Sequence, residues 1–284
     1  MKIYSPSQTT KFLECPAEWW LSKMGWRKKW IGKGNLAAIL GSAFHAAAAE
    51  HYRCQRATNV DDLVAIARAS VAKELKTYHE LGFEVGTRDL DLEAALPAKA
   101  EALVSYFHAN DPIPEIWLYG EPELTLPDFG YCRIDLPVEP RPPDGPIEPL
   151  DFKVKLRMDP RYAWKTKQEW EFSWQFMHYA RGLELYTGVP VKEFYVCWVS
   201  LEPKPKCELL DYYIDSELMS LWKQSAEAAW GVMEAMENGT IYPYHTFQWF
   251  SKWGKTDFAE AFMDYRLHDD LMAQDYINIG DRRL

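Results

Sequence analysis

The chain has 284 residues, of which 48% are hydrophobic and 15% aromatic, which is enough for a sizeable core and excludes a wholly disordered polymer. With 32 basic and 42 acidic residues the net charge is −10, which excludes coating of nucleic acid by overall charge and leaves that task to local basic stretches. No apolar run reaches the ~18 residues of a membrane span, "MKIYSPSQTTKF" lacks the apolar middle of a signal peptide, and the cysteines at 15, 54, 132, 197 and 207 are odd in number with no CxxC pair; the expectation is a soluble, cytoplasmic protein without membrane contact.

The first helix is announced by "SPSQ", with Ser5 as N-cap, Pro6 at the first helical position and Gln8 at the reciprocal capping-box position. Pro16 ends that helix or starts a second one carrying Trp19 and Trp20. Residues 35–53 predict a helix with Asn35 as cap, and residues 60–81 and 92–109 predict two more. The texture then turns to strands. "IWLYGEPELTL", "YCRIDLPVE" and "PLDFKVK" are β-rich and bounded by Pro or Gly, with a proline-rich loop over 137–149. A long aromatic helix over 168–188, closed by Gly188, precedes two further strands, "EFYVCWVSL" and "CELLDYYI". Residues 216–239 predict a helix capped by Ser216 and ended by Gly239. The order predicts one α/β domain with a central mixed sheet flanked by helices: a helical part (1–110), a sheet core (111–215) and a helical, aromatic part (216–284).

The strand "IEPLDFKVK" (147–155) carries the chemistry. Its side chains alternate, so Leu150, Phe152 and Val154 go one way and Asp151, Lys153 and Lys155 the other. Asp135 sits one strand earlier in an equally β-rich segment. Buried carboxylates are costly unless paired. Hairpin neighbours would bring the two acids together, and a divalent cation between them relieves their repulsion. Lys153, on the face of Asp151, can stabilise negative charge developing on a phosphate. The plainer reading is an exposed strand face with a weak Asp151–Lys153 ion pair.

Other residues favour the sharper reading. His45 shares a helical face with Gly41, Ala48, Ala49 and Tyr52, small enough on balance to let the helix approach the sheet; the alternative is a core histidine, and His51 is a weaker candidate. Gln175 and Tyr179 lie four apart, on a face with Glu171 and Gly182, and each offers a hydrogen bond; the alternative is ordinary packing of an aromatic helix.

With these pieces in order, the chain resembles the PD-(D/E)XK nuclease superfamily, and within it the RecB-type branch of phage exonucleases and CRISPR-associated nucleases. The matching stretches are "SPSQTTKFLECPAEWW", "GSAFHAAAAEHY", "EPELTLPDFGYCRID", "LDFKVK" and "QFMHYA", spanning roughly residues 3–200. The resemblance implies a restriction-endonuclease-like core and a DNA phosphodiesterase. It implies that His45, Asp135, Asp151 and the backbone carbonyl of Phe152 hold Mg²⁺ or Mn²⁺, that Lys153 positions the attacking water, and that Gln175 and Tyr179 place the strand. Two positions depart from the pattern: Cys132 and Arg133 precede Asp135 where a glycine is usual, and Val154 replaces the usual threonine. Relatives with a [4Fe–4S] cluster use one early and three late cysteines. Cys15 matches the early one, but no cysteine follows Cys207, so no cluster is expected and Phe247, Trp249, Phe250 and Trp253 are expected to pack in its place.

Two basic stretches oppose the acidic total. "WRKKWIGK" carries Arg27, Lys28 and Lys29; "KVKLRMDPRYAWKTK" carries Lys155, Arg157, Arg161, Lys165 and Lys167. Basic residues track phosphates and tryptophans stack on unpaired bases, so sequence-tolerant DNA contact is expected here; a solvated charged face is the alternative. The combined expectation is an exonuclease of recombination, repair or phage replication. A structure-specific endonuclease and a catalytically silent DNA-binding subunit stay open, as does a protein partner. The intact Asp135, Asp151 and Lys153 set argues against the silent form.

Overall fold

The computed structural model describes residues 2–28, 30–126, 128–143, 145–157, 167–170, 173–202, 204–241 and 276–278. Helix α1 (Pro6–Glu14) starts as expected, with Ser5 Oγ accepting the Gln8 N–H at 3.4 Å. Cys15 ends it and caps α2 (Pro16–Lys23) through Sγ. Helices α3 (Lys33–Arg53), α4 (Val60–Glu80) and α5 (Leu90–Asn110) follow, and each is 21 residues long. The cap of α3 is Gly32 rather than Asn35; Asn35 works from inside the first turn, accepting the Gly32 N–H at 3.3 Å. Asn59 caps α4, and Asp61 and Asp62 in its first turn complement the positive end of the helix.

The main sheet has four strands: β6 (Leu136–Val138), β7 (Glu148–Arg157), β8 (Glu193–Glu202) and β9 (Lys206–Tyr213), in that spatial order. β7 and β8 are parallel, joined across helix α6 (Trp174–Thr187), while β6 and β9 run antiparallel to their neighbours. Small pairs surround it: β1 (Trp26–Lys28) with β10 (Tyr276–Asn278), β2 (Trp30–Ile31) with β3 (Glu84–Val85), and β4 (Leu124–Leu126) with β5 (Cys132–Ile134). Helix α7 (Ser216–Glu237) follows β9. Its cap is Asp215 rather than Ser216, since the Asp215 carboxylate accepts from the Glu217 and Leu218 N–H groups.

The period-two alternation of β7 and β8 separates two apolar layers. Leu150, Phe152, Tyr195, Cys197 and Val199 face α3, α4 and α5. Phe194, Val196 and Trp198 face α1, α2, α6 and α7. This is the mixed α/β architecture expected from the sequence, with four local differences. "IWLYGEPELTL" is not one strand: Glu115–Trp117 is a 3₁₀ turn and β4 begins only at Leu124, after Glu123 adopts φ +60. "YCRIDLPVE" is two strands, β5 and β6, broken at Asp135. The expected helix over 168–188 starts at Trp174, where Ser173 leaves helical geometry; residues 167–170 form a separate helical turn. The loop expected over 137–149 is shorter, because Pro137 and Pro149 face each other in the β6–β7 ladder.

Candidate active site

Asp135 stands where the chain steps from one sheet to the other. Its carbonyl accepts the Glu123 N–H at 2.8 Å, which holds it to the start of β4. Its Oδ2 accepts the Phe152 N–H at 2.9 Å. The β6–β7 ladder reaches Leu136 opposite Leu150, so the carboxylate takes the hydrogen bond next in line. The Phe152 ring points into the other layer and packs edge-on against Phe44 and Phe107. The same layer brings α3 close: Nδ1 of His45 lies 3.2 Å from Asp135 Oδ2, and its ring stands edge-on to Phe152. Ala48 and Ala49 are buried as expected, but Gly41 has open space around it and is not what permits the approach.

Asp151 and Lys153 emerge on the opposite face of β7, beneath α6. One amide organises them. Lys153 is a donor without acceptor capacity, so it fixes the orientation of Gln175. Nζ donates to Gln175 Oε1 at 2.8 Å, and Gln175 Nε2 donates to Asp151 Oδ1 at 3.0 Å and to Tyr179 Oη at 2.7 Å. Helix α6 can lie this close because of Gly182. A Cβ there would come within 2.9 Å of Phe129 Cδ1 and 3.1 Å of Cys132 Sγ.

The two acids differ in how tightly they hold a proton. Burial pushes the Asp151 carboxyl up to about 6, against the opposing pull of Lys153 and with a further push from Asp135. Burial also opposes ionisation of Asp135, but the His45 charge and hydrogen bond, the Phe152 N–H and Lys153 together hold its pKa below the ordinary carboxylate value. For His45, burial disfavours charge, yet Asp135 outweighs it and raises the imidazole's pKa. Burial, with Asp151 and Asp135 nearby, pushes the Tyr179 hydroxyl far above its usual value, so it keeps its proton. Since Tyr179 Oη accepts from Gln175, that proton is free to be donated into the cavity.

His45, Asp135, Asp151, Lys153, Gln175 and Tyr179 line one cavity of about 600 Å³. The cavity is also lined by residues to which the sequence assigned no site role: Ser5 at the cap of α1, Ser7, Thr10 and Lys11 of α1, Tyr131, and Arg133 of β5. Residues 3–249 match the family model of the PD-(D/E)XK nuclease superfamily. The chain belongs to this superfamily. Among solved structures, that of a protein from Eubacterium rectale named "Putative exonuclease" superposes with a TM-score of 0.50 at 12% identity, covering 91% of this chain and 87% of that one; the likeness is one of fold. No curated protein matches the chain.

Members of the PD-(D/E)XK superfamily typically use divalent metal ions. The donors here fit such an ion in kind: two carboxylates and an imidazole suit Mg²⁺ or Mn²⁺. The buried Asp151 Oδ2 has no aligned hydrogen-bond donor, although the Lys153 ammonium lies 2.6 Å away. Among the described residues, no three His, Cys, Asp or Glu side chains form a group that could hold an ion.

The remaining expected site residues are distributed as follows. Lys155 is exposed on the face of Asp151 and Lys153. Lys167 lies over the Trp198 ring and is tied to Glu208 at 2.9 Å. Arg27 and Lys28 form part of β1 and Arg157 ends β7. Lys29, Arg161 and Lys165 lie outside the described residues, as do Glu171, Phe247, Trp249, Phe250 and Trp253. His51 is buried elsewhere, 3.5 Å from Asp111. Cys15 is buried and serves as a helix cap, accepting the Glu18 N–H at 3.5 Å.

Proposed function

We propose that the chain is a Mg²⁺- or Mn²⁺-dependent DNA exonuclease of the RecB-type branch, acting in recombination, repair or phage DNA metabolism. One observation carries the reading: Asp135, at the break before β6, and Asp151, on the adjacent strand β7, share a cavity with Lys153, His45, Gln175 and Tyr179. His45, Asp135, Asp151 and the Phe152 carbonyl are the proposed ligand set. A divalent cation, when bound, supplies Lewis-acid stabilisation of phosphate charge and makes water more acidic.

The chain's own residues do the rest. Lys153 sets a positive charge beside the scissile phosphate and positions the attacking water. Gln175 fixes the direction of Lys153 and of Asp151 together. Tyr179 donates its proton to a phosphate oxygen of the strand. The basic residues of 26–33 and 153–167 supply phosphate contacts that do not depend on sequence. The name of the Eubacterium rectale neighbour agrees with the exonuclease reading.

The test is digestion of end-labelled linear DNA with Mg²⁺, Mn²⁺ or EDTA, using wild type and Lys153→Ala. The expected outcome is metal-dependent release of short products by wild type and a loss of at least about 100-fold in the variant. Equal activity in the two proteins refutes the site. Cleavage of closed circular DNA at a comparable rate turns the reading to an endonuclease.

A further inference from the structure

The proposed metal ligands are already engaged with other parts of the protein. His45 Nδ1 faces Asp135 Oδ2, and that same oxygen takes the Phe152 N–H. Asp151 Oδ1 takes the Gln175 amide. The buried oxygen without an aligned donor, Asp151 Oδ2, has the Lys153 ammonium 2.6 Å away. A monovalent cation therefore stands against the carboxylate that a divalent cation must reach. Two like charges cannot share one buried oxygen at contact distance without a large repulsion. The ammonium has a hold besides Asp151. It is already 2.8 Å from Gln175 Oε1, and it lies 5.4 Å from the centroid of the buried Phe176 ring, whose face attracts cations.

We infer that Lys153 is a built-in stand-in for the metal ion: it neutralises Asp151 while the site holds no divalent cation, and it must swing off Asp151 toward the Phe176 face, still held by Gln175 Oε1, before one binds. The inference rests on the metal reading of the site given above. It assigns Lys153 a task separate from its place beside the phosphate. The side chain keeps a buried carboxylate paired in the metal-free protein, and the cost of displacing it is subtracted from metal affinity. Gln175 is then a positioning residue that keeps hold of the ammonium when it leaves Asp151.

The experiment is calorimetric titration of the metal-free protein with Mn²⁺ at pH 8, in wild type, Lys153→Met, Lys153→Gln, Lys153→Arg and Asp151→Asn. Either neutral variant should bind Mn²⁺ roughly tenfold more tightly than wild type, because no ammonium has to be displaced. Lys153→Arg keeps a cation and should stay near the wild-type affinity, and Asp151→Asn should bind at least about tenfold more weakly. The metal-free neutral variants should also melt at lower temperature than wild type, with Mn²⁺ closing the gap. Two neutral substitutions keep the test available if one of them folds poorly. Equal or weaker binding by the folded neutral variant, with Asp151→Asn still impaired, overturns the inference and leaves the metal reading intact. Failure of every protein, wild type included, to bind Mn²⁺ overturns both.

Discussion

The Asp135 carboxylate accepts the backbone N–H of Phe152 at 2.9 Å, so a proposed metal ligand also completes the strand that carries Asp151. The two roles separate by mutation. Asp135→Asn keeps an acceptor and loses the charge; Asp135→Ala loses both and leaves a buried N–H unpaired, which costs about 1–3 kcal/mol. Both variants should lose at least roughly 100-fold in cleavage, but Asp135→Ala should melt clearly below Asp135→Asn. Identical melts would show that the hydrogen bond adds nothing to stability.

Tyr179 accepts from Gln175 and retains its own proton for the cavity. Tyr179→Phe removes that donor and keeps the ring in place. The variant should fold with stability within about 1 kcal/mol of wild type and bind Mn²⁺ equally well. Its kcat should fall by roughly tenfold with little change in KM, the signature of an interaction made in the transition state. A change confined to KM would make Tyr179 a ground-state contact instead.

Gly182 sets the distance between α6 and the β4–β5 pair. The Cβ of an alanine would press on Phe129, Cys132 and Leu126, all at 3.1 Å or less. Overpacking of this kind costs about 1–3 kcal/mol. Gly182→Ala should therefore melt lower in chemical denaturation, and the outward shift of α6 should lower activity through Gln175 and Tyr179. Unchanged stability would mean that the helix has room to move after all.

Glu148 gives a pH signature distant from the metal question. It is fully buried at the start of β7, and burial pushes its carboxyl up from an ordinary 4.5 to about 7, despite the N–H groups of Glu193 and Lys192 and the charge of Arg141. Between those values the folded state holds a proton that the unfolded chain has released. Stability from this group is thus fully present below pH 4.5 and is lost as pH rises toward 7, a change of at most about 3 kcal/mol. Glu148→Gln should raise the melting temperature at pH 8 and leave it nearly unchanged at pH 4.5. A gain of equal size at both pH values would assign the effect to packing rather than ionisation.

The sequence made the chemistry of β7 legible because strand periodicity is strict. Once the segment is a strand, Asp151 and Lys153 must share a face and Phe152 must face away. Asp135 was legible as an acid in a β-rich segment, but the step at that residue was not. "YCRIDLPVE" alternates like one strand, and the break is imposed by pairing with two different sheets. The start of α6 was hidden similarly, since "QEWEFSWQF" has helical spacing throughout and Ser173 interrupts it only in tertiary context. Ser7, Thr10 and Lys11 belong to a stretch that carries the resemblance, but nothing local placed them in the cavity, because more than a hundred residues separate them from Asp135 and only the packed layers bring them together.

Asp135 answers to two ladders at once, its carbonyl bound by Glu123 and its carboxylate by Phe152. Neither sheet can open at this point without disturbing the acid between them. In native-state hydrogen exchange, the amides of Glu123 and Phe152 should therefore report one shared opening event with a common free energy, although they belong to different sheets. The proposed metal ligand is in this sense also a rivet, and loosening either sheet should loosen the other.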